Sequence, residues 1–330
     1  MRNFLQVSRI DPTKRLVVER TKDFGEIYEV FQKEDAALQG ERCIQCGDPF
    51  CLNKCPLHNY IPQWLKSVAE KDLEFAFNLS NEPSPFPEVM GRVCPHDRLC
   101  EGDCTLNDGH GAITIGSIET FINEEGFKAG LTPKFPGITS DKKVAIIGSG
   151  PAGLSAATYL LRAGIAVTVY ERDDRAGGLL TYGIPNFKLD KKVIERRVGI
   201  LKDAGMELVT NCEVGKDITF EEMADKHDAI FIGVGATKAK GARLAGEKAD
   251  NVYMSMQYLT SIQRKNFGLK YDKQFDSKEK DDVLIGGGDP EMDSGRPATR
   301  VGGKFDNCHS LLVPHNIYCC KKEYQKYHKK

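Results

Sequence analysis

Seven of the 11 cysteines in this 330-residue chain lie between Cys43 and Cys104, and this crowding constrains the fold more than any other feature of the sequence. The cysteines form two groups. These groups are Cys43-x2-Cys46-x4-Cys51-x3-Cys55-Pro56 and Cys94-Pro95-x4-Cys100-x3-Cys104. Because thiols stay reduced inside cells, such closely spaced cysteines predict metal binding rather than disulfide bonds.

Two cubane iron–sulfur clusters are the first interpretation of this pattern. Each cluster needs four ligands that reach one small centre, and in two-cluster ferredoxins the cysteine before a proline binds the other cluster. By that rule Cys43, Cys46 and Cys51 bind one cluster with a distant fourth cysteine, while Cys55 joins the second group. Seven cysteines then leave one ligand place to another residue type.

Zinc is the alternative that the spacing leaves open. Two tetrahedral zinc sites would need the same number of ligands, and three histidines are close enough in sequence to contribute, namely His58, His96 and His110. The outlying cysteines are not expected to be ligands. They are Cys212, Cys308, Cys319 and Cys320. Cys212 is expected to be a small core residue.

A glycine-rich turn begins a different kind of unit further along the chain. The turn Gly148-x-Gly150-x-x-Gly153 follows an apolar β-branched run and opens a helix rich in small residues. This context is the one that a dinucleotide-binding fingerprint requires, and it predicts that Gly148, Gly150, Pro151, Ala152 and Gly153 contact a cofactor. The less specific alternative is a mere tight turn.

An acidic residue and a second glycine pair strengthen the dinucleotide interpretation. Glu171 ends the next predicted strand, where its carboxylate can accept hydrogen bonds from ribose hydroxyls, although a solvated strand end is the simpler reading of Glu171 alone. Gly177 and Gly178 follow soon after and suit a close approach of the backbone to a cofactor. The predicted unit is therefore a Rossmann-type FAD-binding domain.

The segment DVLIGGGD (282–289) predicts the start of a nicotinamide-binding domain, with Gly286, Gly288 and Asp289 as cofactor-binding residues. The helix after it is doubtful, because Gly295 and Pro297 fall in its interior, where proline costs about 3 kcal/mol. The remaining residues are too few for a complete domain of this type.

These features predict an α/β protein with an N-terminal α-helical two-cluster iron–sulfur domain. The expected divisions are a helical arm (1–35), the [4Fe-4S] domain (36–130), a linker (131–143), the first part of the FAD domain (144–281) and a truncated NAD(P)-binding domain with a divergent C-terminus (282–330). The helical character of the arm rests on Phe24, Ile27, Tyr28 and Phe31, which recur at helical spacing.

The overall charge balance excludes some partners. Lys plus Arg number 46 and Asp plus Glu number 47, so the net charge of −1 provides no global attraction to nucleic acid or to anionic membranes. The sequence contains neither an apolar run long enough to cross a membrane nor an apolar signal core at its start. A cytoplasmic protein is the expectation.

With these motifs in view, the chain resembles the small (beta) subunit of NADPH-dependent glutamate synthase, from about Asp23 to Met292. The segments that carry the resemblance are RCIQCGDPFC, CPLHNYIPQWL, GRVCPHDRLCEGDC, GAITIGSIETFI, GSGPAGL and GGLLTYGIPNFKLDK. The amino half of dihydropyrimidine dehydrogenase is similar, as are related NADPH-dependent ferredoxin and sulfide reductases.

The resemblance implies a complete set of cluster ligands. Cys43, Cys46, Cys51 and Cys104 would bind one cluster, and Cys55, Cys94, Cys100 and Glu119 the other. From the residue pattern alone, Glu119 would look like an ordinary exposed helix residue. The last of the resembling segments also adds Leu179 and Lys188 to the predicted cofactor-binding residues.

The implied function is electron transfer. Electrons would pass from NADPH through FAD and two [4Fe-4S] clusters to a larger FMN-containing glutamate synthase (alpha) subunit, which makes glutamate from glutamine and 2-oxoglutarate. This chain has no residue that the sequence predicts to be a catalytic acid, base or nucleophile. A pyrimidine, ferredoxin or sulfide reductase is an alternative destination for the electrons.

The sequence departs from the family soon after Gly288, in the segment GGGDPEMDSGRPATRVGGKFDNC. Family members continue well beyond this length, so the expectation is a truncated or frame-shifted product. Such a chain would be weakened in FAD retention and NADPH oxidation. A remnant without NADPH activity, which acts only as a binding partner, is therefore a second hypothesis.

Overall fold

A computed structural model describes residues 3–241, 245–286 and 288–309, with backbone only for 304–309. The N-terminal part contains α1 (Val17–Arg20), α2 (Lys33–Glu41), α3 (Phe50–Lys54), α4 (Ile61–Ala69), α5 (Leu73–Asn81), α6 (Pro87–Val93), α7 (Asn107–His110) and α8 (Ile115–Lys128). The C-terminal part contains β1 (Lys143–Ile147), α9 (Pro151–Arg162), β2 (Ala166–Tyr170), α10 (Leu179–Tyr182), α11 (Lys191–Asp203), β3 (Met206–Val209), α12 (Phe220–Lys226), β4 (Ala229–Ile232), α13 (Ser255–Asn266), β5 (Asp281–Ile285), α14 (Asp289–Arg300) and β6 (Lys304–His309).

Short helices build the N-terminal domain around one apolar core. Proline or a capping carboxylate starts several of them: Pro62 lies in the first turn of α4, and Asp72 accepts a hydrogen bond from the Phe75 amide at the start of α5 (3.0 Å). Trp64 of α4 and Ile118 and Ile122 of α8 are fully buried in the core. Several cysteines lie at the edge of the same core, which positions their sulfurs between helices.

The second domain is a parallel sheet with strand order β3-β2-β1-β4. β1 pairs with β2 from Lys143 opposite Ala166 to Ile147 opposite Tyr170, and the glycine-rich turn follows at the carboxyl end of β1. Helices α9 and α11 pack on the sheet through Leu154, Leu161 and Leu201, all fully buried. The predicted βαβ unit is confirmed, and so is the Rossmann-like fold class.

A second small βαβ unit follows, in which β5 and β6 are parallel and α14 connects them. The doubt about this helix was wrong, because α14 runs through Gly295 and Pro297. Burial explains the difference: one face of α14, including Met292 and Ala298, is packed, and the carboxylate of Asp293 pairs with the Lys188 ammonium (3.1 Å). Tertiary packing thus offsets the local cost of proline.

The N-terminal arm also differs from its prediction. Phe24, Ile27, Tyr28 and Phe31 do not form a helix, and the helical segments before α2 are Asn3–Leu5 and Val17–Arg20. The Ile27 amide donates to the Phe187 carbonyl of the second domain (3.1 Å), and the Arg15 amide donates to the Ile27 carbonyl (2.9 Å). The apolar side chains fit an extended segment equally well, and its backbone partners are distant in sequence.

Buried ion pairs join the two domains. Arg197 of α11 makes a two-pronged bond to Glu88 of α6 (2.7 and 2.6 Å), and both side chains are almost fully buried. Arg196 of α11 similarly binds Glu124 of α8 (2.7 and 2.9 Å). Within the described residues, no helix is both long and apolar enough to cross a membrane.

Candidate functional site

Four cysteines from two loops and α3 line one small cavity in the helical domain. These residues, called here the first donor set, are Cys43, Cys46, Cys51 and Cys104. Apolar side chains, among them Leu65 and Ile113, line the rest of this cavity. Burial raises the pKa of the Cys43 thiol to about 11 and that of Cys51 to about 12, and other thiols of the set add to both shifts.

Side-chain donors reach two sulfurs of the first donor set. The Gln45 amide nitrogen donates to Cys43 Sγ (3.3 Å) and also to the Pro62 carbonyl (2.9 Å), with the Gln45 backbone in the left-handed region (φ 52°). Cys46 Sγ shares a hydrogen bond with the Thr105 hydroxyl (3.3 Å). These bonds orient the sulfurs on their loops without help from a ligand.

A second donor set lies elsewhere in the same domain and comprises Cys55, Cys94, Cys100 and Glu119. Burial, followed by the charges of Glu119 and Cys55, raises the pKa of Cys94 to about 12. Burial also raises the pKa of Cys100, and Glu101, Glu119, Cys94 and Cys55 add to that shift. Cys55, Cys94, Cys100 and Glu119 are therefore close enough for their charges to interact, and Glu101, which is outside this set, contributes to the shift of Cys100.

Glu119 is buried on α8, although its sequence context alone resembles an exposed helix position. Burial, followed by the nearby charge of Glu88, raises the pKa of the Glu119 carboxyl to about 8, and a hydrogen bond from Asn59 opposes the shift. The Asn59 amide donates to Glu119 Oε1 (2.9 Å). A buried carboxylate of this kind needs a cationic partner to ionise fully, which a metal cluster would provide.

A single zinc ion is the alternative occupant of either donor set. Among the residues that the structure describes, no three His, Cys, Asp or Glu side chains converge closely enough to hold one metal ion. A zinc site requires four donors about 2.3 Å or less from a single ion. Of the candidate histidines, His110 packs its ring edge-on against Phe4, and His96 has its ring against Gly116.

Of the outlying cysteines, the structure describes the side chain of Cys212, which lies outside both sets. Cys212 is partly buried against the small core formed by Ala145, Tyr170 and Met223, as expected for a core residue. Cys319 and Cys320 lie outside the described residues, and the structure does not describe the side chain of Cys308.

The glycine-rich turn between β1 and α9 leaves room for a ligand. Gly148 has a φ of 93°, and a side chain at Gly153 would come within 1.9 Å of the Gly148 carbonyl oxygen, so both positions require glycine. A methyl group at Gly150 would instead point into open space. Since Pro151 and Ala152 begin α9, its unpaired amides face the same space.

Glu171 has a structural role in this turn. One carboxylate oxygen accepts hydrogen bonds from the amide (2.9 Å) and hydroxyl of Ser149, and the other accepts from the Asp173 amide (2.9 Å). The carboxylate is buried, so it is not a solvated strand end. Each oxygen has two lone pairs, so these bonds leave capacity for a ribose hydroxyl.

The second glycine pair packs against the first turn. The Gly177 amide donates to the Ser149 carbonyl (3.0 Å), and a side chain on Gly178 would come within 2.9 Å of Gly150 Cα. Gly178 also has a positive φ of 52°. The neighbouring Leu179 is half exposed and starts α10. The predicted residues Gly150, Gly178 and Leu179 are thus brought together.

A cavity at the domain junction is lined by residues of the helical domain and of the C-terminal part. Cys94 of the second donor set lines it, as do Phe187, Lys188 and Asp289 from the C-terminal part. Lys188 pairs with Asp293, and Asp289 lies 3.6 Å from the guanidinium of Arg98 in the helical domain. A cofactor in this cavity would lie between the dinucleotide unit and the second donor set.

The second glycine turn is built differently from the first. The Gly286 φ of 154° still favours glycine, and a side chain there would strike Glu291. The Gly288 amide donates to the Glu291 carboxylate (2.9 Å), which closes the start of α14. The Asp289 carboxylate lies near the Arg98 guanidinium (3.6 Å), and Asp289 also lines the junction cavity.

A cysteine-rich helical domain joined to this type of sheet and glycine turn defines an iron–sulfur oxidoreductase of the pyridine-nucleotide class. Family models agree: residues 20–131 match the dihydropyrimidine dehydrogenase domain II with a 4Fe-4S cluster, and residues 142–290 match the pyridine nucleotide-disulphide oxidoreductases.

Similar curated proteins identify the family within this class of oxidoreductases. The glutamate synthase [NADPH] small chain of Halomonas elongata is 45% identical over 97% of this chain and 68% of its own length. That of Escherichia coli K12 is 46% identical over 92% of this chain and 66% of its own. The putative oxidoreductase AegA of Escherichia coli K12 is 41% identical over 96% of this chain and 49% of its own.

The chain belongs to the glutamate synthase small-chain family, and it spans about two thirds of the length of these small chains. It is therefore a member of an oxidoreductase family whose cofactors are [4Fe-4S] clusters, FAD and NADPH. These cofactors agree with those that the sequence predicted.

Proposed function

We propose that this chain is a cytoplasmic electron-transfer subunit, which passes electrons from NADPH through FAD and two [4Fe-4S] clusters to a larger FMN-containing glutamate synthase subunit. The observation that carries the proposal is the cavity lined by Cys43, Cys46, Cys51 and Cys104, beside a second group in which Cys55, Cys94, Cys100 and Glu119 are close enough for their charges to interact. Bound FAD would convert the two-electron chemistry of NADPH into the one-electron steps that the clusters carry.

The first donor set supplies four cysteine ligands, and the second supplies three cysteines and Glu119. Apolar side chains line much of the cavity around the first set. The oxygen ligand would give the second cluster a potential different from that of the first, because ligand type is one of the factors that tune such clusters.

The domain junction supports an order for the electron path. Because Cys94 lines the cavity that Lys188 and Asp289 also line, the second donor set lies beside the C-terminal part of the chain. The first donor set lies by an exposed surface, where Phe50 is half exposed and Lys54 pairs with Asp103. We infer that electrons enter at the second cluster and leave from the first.

The proposed FAD site is built on the turn at Gly148, Gly150 and Gly153. The open space at Gly150 and the N-terminus of α9 would receive the pyrophosphate, and Glu171 would hold both the turn and the ribose. Gly178 and Leu179 close the same space, while Lys188 would face the flavin from the junction cavity. Gly286, Gly288 and Asp289 would receive NADPH.

Anaerobic purification of the chain tests the cofactor assignment. We expect about eight irons and a matching amount of acid-labile sulfide per chain, together with a yellow flavin. Zinc in place of iron, with no acid-labile sulfide, would refute the cluster assignment. Reduction of an artificial dye by NADPH then tests whether the chain oxidises NADPH through its flavin. A chain that binds the clusters but not NADPH would not reduce the dye.

Glu119→Ala tests the oxygen ligand directly. We expect the variant to lose or alter one cluster signal in the electron paramagnetic resonance spectrum of the reduced protein, while the four-cysteine cluster keeps its signal. The reason is that alanine removes one of only four ligands from the second set. Two unaltered cluster signals would exclude Glu119 as a ligand.

The identity of the electron acceptor needs a separate experiment, since AegA is a similar relative with a different name. Affinity capture of the tagged chain from its own cells should recover a large FMN-containing subunit. Recovery of a different reductase would change the acceptor but leave the cluster and flavin assignments in place.

A further inference from the structure

Asn59 links a ligand-bearing turn to the buried carboxylate of Glu119. Asn59 lies four residues after Cys55, in the turn that precedes α4, and it is 4% exposed. Its side-chain nitrogen donates to Glu119 Oε1 (2.9 Å), and Glu119 is 6% exposed. The turn that carries one ligand of the second donor set therefore also holds another ligand of that set.

The indole of Trp64 fixes the orientation of the Asn59 amide. Trp64 Nε1 donates to Asn59 Oδ1 (3.2 Å), and Trp64 itself has no exposed surface. An indole N–H can only donate, so the amide must present its oxygen to Trp64. Its nitrogen must then face Glu119, and the amide cannot flip without leaving a buried donor opposite the indole.

We propose that Asn59 is a positioning residue that holds the Glu119 carboxylate in place for the second cluster, with Trp64 locking the amide in its donating orientation. This inference rests on the ligand role of Glu119 in the proposed function. A carboxylate that binds a metal is ordinarily held by such outer hydrogen bonds, and their loss typically weakens the site 10- to 100-fold.

The backbone around Asn59 supports a fixed position. His58 has a φ of 47°, and its amide donates to the Cys55 carbonyl (2.9 Å), which tightens the turn between Cys55 and Asn59. On the other side, α8 holds Glu119 between the fully buried Ile118 and Ile122. Both partners of the Asn59–Glu119 bond are therefore anchored in the same core as Trp64.

The test is Asn59→Asp in the full chain, purified anaerobically. Aspartate has the same shape but presents a carboxylate oxygen to Glu119, so the bond becomes a repulsion. We expect the second cluster to change its resonance signal and midpoint potential, or to be lost so that iron falls from about eight to about four per chain. The four-cysteine cluster of the same molecule is the internal reference and should be unchanged.

Two further variants separate positioning from folding. Trp64→Phe removes the indole N–H but keeps a buried ring, and it should alter the same cluster to a smaller extent. Asn81→Asp is the matched control, since Asn81 is an equally buried amide of this domain whose nitrogen donates to Phe77, Ser80 and Asn123. It should leave both cluster signals unaltered.

The outcomes distinguish this inference from the proposed function. If Glu119→Ala changes the second cluster but Asn59→Asp leaves it unaltered, only the positioning role of Asn59 fails. If Glu119→Ala changes neither cluster, the ligand role itself fails. Loss of both clusters in Asn59→Asp would show that Asn59 supports the fold and would overturn the positioning role. An unaltered resonance spectrum of this variant would overturn it as well.

Discussion

Hydrogen bonds from single side chains reach the sulfurs of the first donor set. Gln45 donates to Cys43 Sγ (3.3 Å), and the Thr105 hydroxyl lies 3.3 Å from Cys46 Sγ. Such bonds withdraw electron density from a ligand sulfur, which favours the reduced cluster. At the residue scale, these two side chains are the ones that would raise the potential of the four-cysteine cluster.

Gln45→Met should lower the midpoint potential of the four-cysteine cluster, because methionine keeps the length of the side chain but cannot donate to Cys43 Sγ. A redox titration followed by electron paramagnetic resonance measures this shift. The second cluster should keep its potential. Gln63→Met, on the exposed side of α4, is the control and should shift neither cluster. Equal shifts of both clusters in Gln45→Met would contradict a local effect.

Helices α9 and α14 both begin at a glycine turn, but the free space beside the two turns differs. At α9 the turn leaves open space beside Gly150, whereas at α14 the Glu291 carboxylate occupies the space next to Gly286 and Gly288. The same element type, a strand followed by a glycine turn and a helix, therefore offers a ligand more room in the first unit than in the second.

Substitutions at Gly150 and Gly153 should separate ligand binding from folding. Gly150→Ala adds a methyl group in open space, so the melting temperature should stay close to that of the wild type while flavin content falls, because the methyl group would occupy the place of the pyrophosphate. Gly153→Ala would bring Cβ to 1.9 Å from the Gly148 carbonyl, so both melting temperature and flavin content should fall.

Flavin content and thermal unfolding are measured on the same preparations. Gly199→Ala on α11, where a side chain meets nothing within 4 Å, is the matched control: it should leave the flavin content unchanged and should not lower the melting temperature, because alanine is the better helix former. A Gly150→Ala protein that keeps its full flavin content would argue against a cofactor at this turn.

At the scale of the whole molecule, charged side chains connect the domains. Arg197 and Glu88 are 1% and 0% exposed, so their pairing excludes water almost completely. Arg162 of α9 adds hydrogen bonds to the carbonyls of Glu82 and Ser84, which precede α6. The relative position of the second donor set and the dinucleotide unit depends on this interface.

Arg197→Met should destabilise the chain by about 3–5 kcal/mol, because it leaves the Glu88 carboxylate buried without its partner. The double variant Glu88→Leu/Arg197→Met should recover most of that loss, since it removes both charges. Denaturant titration followed by circular dichroism measures the free energy of unfolding.

The control is Lys66→Ala, which breaks an exposed pair with Glu70 and should lower the free energy of unfolding by less than about 1 kcal/mol. Equal losses in the single and double variants would mean that packing, not charge, is what matters at Arg197.

The sequence by itself determined the elements and the chemistry of their motifs. The cysteine spacing predicted the metal-binding domain, and the strand expected before Glu171 is present as β2, Ala166–Tyr170. Local rules suffice there, because ligand spacing, glycine turns and β-branched runs act over a few neighbouring residues. The residue pattern did not find Glu119, whose surroundings on α8 look ordinary, and only the family resemblance singled it out.

The tertiary structure alone decided what depends on distant partners. It made the segment from Phe24 to Phe31 extended, because its backbone bonds to Phe187, and it kept α14 helical through Pro297, because Lys188 and the core pack against that helix. It also buried Glu119 beside Asn59, a residue 60 positions away in sequence. Periodicity and propensity are short-range signals, whereas burial and ion pairing are settled by whichever elements meet in the folded chain.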